Sequence, residues 1–103
     1  MQVLYERCAG LDVHKKTVVA CLMLTAANGH VSKQIRTFVT TTAGLLALAD
    51  WLSGQQVTHV AIESTGVYWR PVFNILEAVC TVILVNAQHV KAVPGRKVRR
   101  EVA

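Results

Sequence analysis

At 103 residues the chain is long enough for one domain with a modest core and too short for two. Hydrophobic residues make up 52% of it, which excludes a disordered tail, and no run approaches the ~18 consecutive apolar residues of a membrane span. A net charge of +5 suits a polyanionic partner without demanding one. The N-terminus, Met1 to Arg7, lacks the order of a signal peptide. Cys8, Cys21 and Cys80 sit singly in apolar stretches, with no Cys-x-x-Cys pair for zinc. They read as buried free thiols of a reducing cytoplasm.

Cys8 to His14 is the first expected strand, with Leu11 and Val13 on one face and Gly10, Asp12 and His14 on the other. Aspartate is a poor strand former, and burying an unpaired carboxylate is costly. Either a cation compensates Asp12, or it lies half exposed at the strand end and caps a turn. Lys15 and Lys16 turn the chain. Thr17 to Leu24 follows as a nearly continuous apolar strand, expected to be covered on both faces. Asn28-Gly29 marks a hairpin turn. Val31 to Thr40 returns as a more polar strand that suits a sheet edge through Lys33 and Arg36.

At Thr41 the period becomes helical. Thr41 and Thr42 can cap a helix in which Leu45, Leu48, Ala49 and Leu52 share a face, widened by Leu46 and Trp51. Gly54 is the expected stop. Val57 to Ile62 is another buried strand, closed by a second isolated carboxylate, Glu63, and then Ser64-Thr65-Gly66. A second helix carries Trp69, Val72, Phe73 and Leu76 on one stripe, with Pro71 tolerated in its first turn. Thr81 to Val85 is the fifth strand. Asn86 to Val93 reads as a short helix or turn, and residues 96–101 are basic without apolar periodicity.

A three-strand meander followed by helix, strand, helix and strand implies an α/β fold with one mixed five-stranded sheet. Strand–helix–strand connections favour parallel pairing, so the fourth strand should lie beside the first, with the second and third outward on the other side. Asp12 and Glu63 then fall near the carboxyl ends of neighbouring parallel strands, about 5 Å apart. Open α/β sheets gather ligands at that edge. Two carboxylates so placed can share divalent cations in the manner of two-metal nucleases.

This order, with Asp in strand 1 and Glu closing strand 4, resembles the ribonuclease H-like fold. Gly10-Leu11-Asp12-Val13-His14-Lys15-Lys16-Thr17, the run from Ala61 to Leu76 and the run from Asn86 to Lys97 carry a narrower resemblance. They look like the N-terminal, Holliday-junction-resolvase-like (RuvC-like) catalytic domain of DEDD-type insertion-sequence transposases. The resemblance spans about Ala9 to Lys97. It implies DNA transposition by Mg²⁺-dependent cleavage and joining of DNA strands, with Asp12 and Glu63 as catalytic, metal-binding acids. DNA is the implied partner, joined in some members by a structured guide RNA.

Beyond Lys97 the chain departs from that pattern. The family continues Thr/Ser-Asp-x-x-Asp after Gly-Arg-Lys and opens the helix that bears its last two acids. Here Val98-Arg99-Arg100-Glu101-Val102-Ala103 follows, with Arg99 where the third acid is expected and Glu101 out of register. Residues 1–97 therefore read as a partial ribonuclease H-like domain lacking its final catalytic helix, and 98–103 as a divergent tail. A one-base frameshift would explain the tail, since suitable codons for Val98 to Ala103 read Ser-Asp-Val-Lys-Trp in the next frame. Nucleotide sequence past Lys97 with no acid in another frame disproves it. Without the covering helix, apolar surface on strands 1 and 4 should be bare, which invites association into homo-oligomers or aggregates.

The remaining candidates divide between function and plain structure. His14, Lys15 and Lys16 suit contact with a phosphate, or they are a solvated turn. Ser64 and Thr65, with Gly66, offer backbone N–H groups at a helix start for phosphate, or simply cap the helix. Tyr68 suits base stacking, while Trp69 falls at a core spacing. Lys91, Arg96 and Lys97 suit a DNA backbone or are merely solvated. His30, His59 and His89 show no metal-ligand spacing. The alternative to a truncated transposase fragment is a non-catalytic nucleic-acid-binding or regulatory module derived from one. A phosphate-handling ATPase of the actin and sugar-kinase type shares the strand order, but His14-Lys15-Lys16 offers no phosphate cradle.

Overall fold

The computed structural model describes residues 6–64 and 66–85. Strands β1 (Arg7–Val13), β2 (Thr17–Thr25), β3 (Val31–Val39), β4 (His59–Ser64) and β5 (Thr81–Val85) form one sheet in the order β3-β2-β1-β4-β5. β2 pairs antiparallel with β1 and β3, while β4 pairs parallel with β1 and β5. Helices α1 (Thr42–Gly54) and α2 (Trp69–Leu76) lead into β4 and β5. This is the mixed sheet that the sequence implies.

The core lies on one face of the sheet. Strand alternation turns Ala9, Leu11 and Val13 toward it, and the register aligns them with β2 and β4. Ala9 stands between Leu22 and Val60, and Leu11 between Ala20 and Ile62. Leu45, Leu48 and Leu52 of α1 and Val72 and Leu76 of α2 join the same buried cluster, none above 2% exposed. Burying each such side chain stabilises the fold by roughly 1.5–3 kcal/mol. At the β3 edge, Arg36 lies 5.0 Å from the Phe38 ring centroid and 5.1 Å from that of Trp51, its cation facing both rings.

Helix α1 begins where the sequence suggests. The Thr41 hydroxyl accepts from the Gly44 N–H at 3.1 Å, relieving one unpaired donor of the first turn. Gly44 is required there because a Cβ would collide with the Val39 carbonyl. The β1–β2 turn is tied to the end of β3. Thr40 donates its hydroxyl to the Lys15 carbonyl at 2.9 Å and its N–H to that of Lys16 at 3.1 Å.

Several expectations need correction. β1 stops at Val13, and His14 instead opens the turn, its N–H donating to the Thr17 carbonyl at 2.8 Å. β2 is covered on one face only among the described residues: Val18, Ala20 and Leu22 are buried, whereas Thr17, Val19, Cys21 and Met23 are half-buried. Both helices lie on the core side, so an apolar run does not here signify two-sided cover. Leu46 is 51% exposed, outside the core stripe of α1. Gly54 is the last helical residue, and the left-handed position falls on Gln56 at φ 59°. The N–H groups of Gln55 and Gln56 bond the Trp51 and Ser53 carbonyls and so close the helix end. The three cysteines are free but half-buried, not enclosed. Trp69 keeps its expected place, half-buried and packed against the core, edge-on to Phe73 at 5.8 Å. Among the described residues no helix is long and apolar enough to cross a membrane.

Candidate metal centre

Asp12 and Glu63 are register partners across the parallel β1–β4 pair, so their backbones lie about 4.8 Å apart. Both project from the face away from the core, and both are exposed. Val19 of β2 and Val85 of β5 flank them in the same row. Two positions back along the strands stand Gly10, Cys21 and Ala61. Their small side chains leave an open recess of about 310 Å³ in front of the two acids. A Cβ at Gly10 would meet nothing within 4 Å, so that glycine keeps the recess floor low.

This geometry shows that Asp12 is not a buried charge. The strand around it is apolar, but its own face is open, and its side chain is 58% exposed. No desolvation penalty has to be offset. Its observed partner is His14, whose Nε2 lies 3.1 Å from Asp12 Oδ2. That pair joins a strand residue to the first turn residue, two positions on.

Two exposed carboxylates in one row match the hard oxygen donors that Mg²⁺ accepts. That ion uses one or two carboxylates and fills its other positions with water and substrate phosphate oxygens. Among the described residues no three His, Cys, Asp or Glu side chains come together to hold a metal. Asp12 and Glu63 thus fit an ion that keeps most of its ligands from solvent and substrate, and do not form an enclosed protein cage.

Other candidates scatter around this edge. Lys15 and Lys16 are exposed in the turn directly beyond the end of β1. Ser64 closes β4 opposite Val13 and does not cap α2, which starts five residues later. A turn at residues 66–68 intervenes, with Gly66 at φ 66°, and Tyr68 caps the helix without a side-chain bond. Ser64 is therefore a strand residue and not the helix cap that its spacing suggests. Tyr68 is exposed. Thr65, Lys91, Arg96 and Lys97 lie outside the described residues. Sequence reasoning missed the part played by Cys21 and Gly10 in the recess. The His14-Lys15-Lys16 turn between β1 and β2 carries no turn signature that fixes the register bringing them together.

The family model for DEDD transposases of the IS110 type, described as "Transposase", matches residues 9–101. The chain belongs to this transposase family. Its fold is that of the RuvC-like, ribonuclease H-like resolvases. Fowlpox virus resolvase, solved with Holliday junction DNA, superimposes with a TM-score of 0.58 at 13% identity, covering 92% of this chain and 67% of the resolvase. Thermus thermophilus RuvC, solved with a Holliday junction substrate, gives 0.57 at 13% identity, covering 94% and 74%. RuvC of the same organism also appears in a second structure, at 0.56 and 14% identity, covering 82% and 66%. The transposase chain thus spans roughly two thirds to three quarters of these resolvases. No curated protein matches it in sequence.

Proposed function

We propose that this transposase chain contributes Asp12 and Glu63 to a divalent-metal centre for the cleavage and joining of DNA strands. One observation carries the reading. Two isolated acids, 51 residues apart in sequence, become register partners at the carboxyl edge of parallel strands, with an open recess before them. A divalent cation held there supplies charge neutralisation at a phosphate and a more acidic bound water. The chain's own residues do the rest. Asp12 and Glu63 hold the cation, His14 orients Asp12, and Lys15 and Lys16 neutralise neighbouring phosphates without reading sequence. Thr40 keeps that basic turn in place through its two bonds to Lys15 and Lys16.

Two carboxylates are few for such a centre. Removing one member of a catalytic set normally abolishes most of its activity. We therefore expect the 103-residue chain, by itself, to bind branched DNA without cutting it. That outcome is also the second reading, a nucleic-acid-binding or regulatory module, favoured by the absence of a third acid beside Asp12 and Glu63 among the described residues. The test is a four-way DNA junction incubated with the purified chain in Mg²⁺. Retention that weakens with salt, without product, supports the binding module. Cleavage lost in Asp12→Asn establishes the active centre and overturns the expectation of inactivity. Failure to retain DNA at low salt, or cleavage unchanged in Asp12→Asn, overturns the proposal.

A further inference from the structure

The open face of the sheet also carries sulfur, toward the end away from the acids. Cys8 of β1 lies directly opposite Met23 of β2, and Cys21 is the next residue of β2 on the same face, opposite Gly10. Directly opposed side chains have Cβ atoms about 4.5–5.5 Å apart, and diagonal ones within about 7–8 Å. All three side chains are half-buried, so they are shielded yet reachable. Gly10 leaves the space between Cys21 and Cys8 clear, since even a Cβ there would touch nothing within 4 Å. Burial first, then the charge of the neighbouring Cys21, pushes the Cys8 thiol above its ordinary value of 9.0.

We propose that Cys8, Cys21 and Met23 form a binding site for a soft monovalent metal cation, Cu(I) or Ag(I). Thiolate and thioether sulfurs are the donors such ions prefer over carboxylates. The spacing also separates this site from a disulfide. A disulfide needs S–S of about 2.05 Å and Cα atoms within about 6.8 Å, which a diagonal cross-strand pair reaches only by moving its backbones. Sulfurs sharing one metal in a three-sulfur set, each at roughly the 2.3 Å of thiolate on zinc, stand about 4 Å apart, which the diagonal reaches far more readily than a disulfide's roughly 2.05 Å. Each thiol releases its proton to solvent as its sulfur bonds the ion, and the Met23 thioether completes a three-sulfur set without charge change. The site is chemically distinct from the oxygen donors of Asp12 and Glu63. It stands whether or not those acids serve DNA chemistry.

The test is titration of the whole chain with Cu(I), kept reduced with ascorbate, against a colorimetric Cu(I) chelator. One equivalent should resist the chelator. Cys8→Ser and Cys21→Ser should each lose it, and Met23→Leu should weaken it by about tenfold or more, the loss typical when a supporting group of a metal site is removed. Cys80→Ser and the Asp12→Asn/Glu63→Gln double variant should retain it. A measurement on the unaltered chain avoids any folding defect of the variants. Bound Cu(I) should protect Cys8 and Cys21, but not Cys80, from alkylation mapped by mass spectrometry. A chain that yields all its Cu(I) to the chelator, or a pattern in which Cys80 alone is protected, overturns the site.

Discussion

Replacing Glu63 by Gln tests the acid pair directly through stability. Without a cation, the Asp12 and Glu63 carboxylates face one another from partner positions on the open face. At a separation of about 5 Å in water their repulsion is about 0.8 kcal/mol, reduced to about 0.5 kcal/mol by the ~10 Å screening length of 0.1 M salt. Glu63→Gln keeps the shape and removes the charge. It should therefore stabilise the cation-free chain by about that 0.5 kcal/mol, or raise Tm by roughly 2–4 °C for a domain of this size. Magnesium reverses the order. At about 10 mM Mg²⁺ and a dissociation constant of about 1 mM, the parent chain gains about 1.4 kcal/mol, roughly 6–11 °C. The Gln variant should gain far less. Circular-dichroism melts with Mg²⁺, compared with NaCl of equal ionic strength, separate binding from screening. An equal Mg²⁺ shift in both proteins, or a lower Tm for the variant without cation, refutes the pair as a metal centre.

Four further outcomes follow from the same geometry. Gly44→Ala drives a Cβ into the Val39 carbonyl and should cost about 1–3 kcal/mol in urea unfolding; an unchanged midpoint would show that β3 yields freely. Thr41→Ala removes the acceptor for the Gly44 N–H and should cost about 1 kcal/mol, while Thr41→Ser should stay near the parent chain. Burial raises the Cys80 thiol above 9.0, as burial and Cys21 raise Cys8. The folded chain then holds those protons more tightly than the unfolded one, so this stability is full below pH ~9 and is lost as pH climbs past it. Cys80→Ser should flatten the alkaline fall of a Tm–pH profile. Finally, Lys15→Ala/Lys16→Ala should reduce the slope of log affinity against log salt for duplex DNA by about 2, near 0.9 for each phosphate left without its lysine. An unchanged slope would place DNA elsewhere.

The strand order was legible because the meander and the strand–helix–strand run leave few topologies. The partnership of Asp12 with Glu63 then followed from strand phase, since each acid sits near the end of its apolar run. What could not be read was which faces are covered. Val19, Cys21 and Met23 are as apolar as the buried Val18, Ala20 and Leu22, so alternation gives no sign that β2 is packed on one side only. The same blindness left open whether Asp12 is a charge needing compensation or a half-exposed one, and it stands in the open beside His14. Leu46 failed for a related reason: helical spacing does not tell a core-facing leucine from one at the rim. The end of α1 misled because glycine marks where a chain can turn left-handed, and here Gln56 does so two residues later.

One topological fact explains why acids and bases meet at a single edge. β1 is paired parallel to β4, so their carboxyl ends coincide, while β2 returns antiparallel and must place its turn at that same end. Asp12 and Glu63 thus share an edge with Lys15 and Lys16 by necessity of connection, and Thr40 pins the basic turn there. Cys8 lies four residues back along β1, about 13 Å from Asp12 at the usual strand rise. The same face therefore offers oxygen donors at one end and sulfur donors at the other, with Gly10, Cys21 and Ala61 between them. Neither set is enclosed by any described element, although partial burial already raises the Cys8 thiol. The open face is thus what lets both kinds of donor exist on so small a sheet. Covering it would press the carboxylates to find a cation or a proton, so the openness of that face bears directly on the metal centre proposed for them.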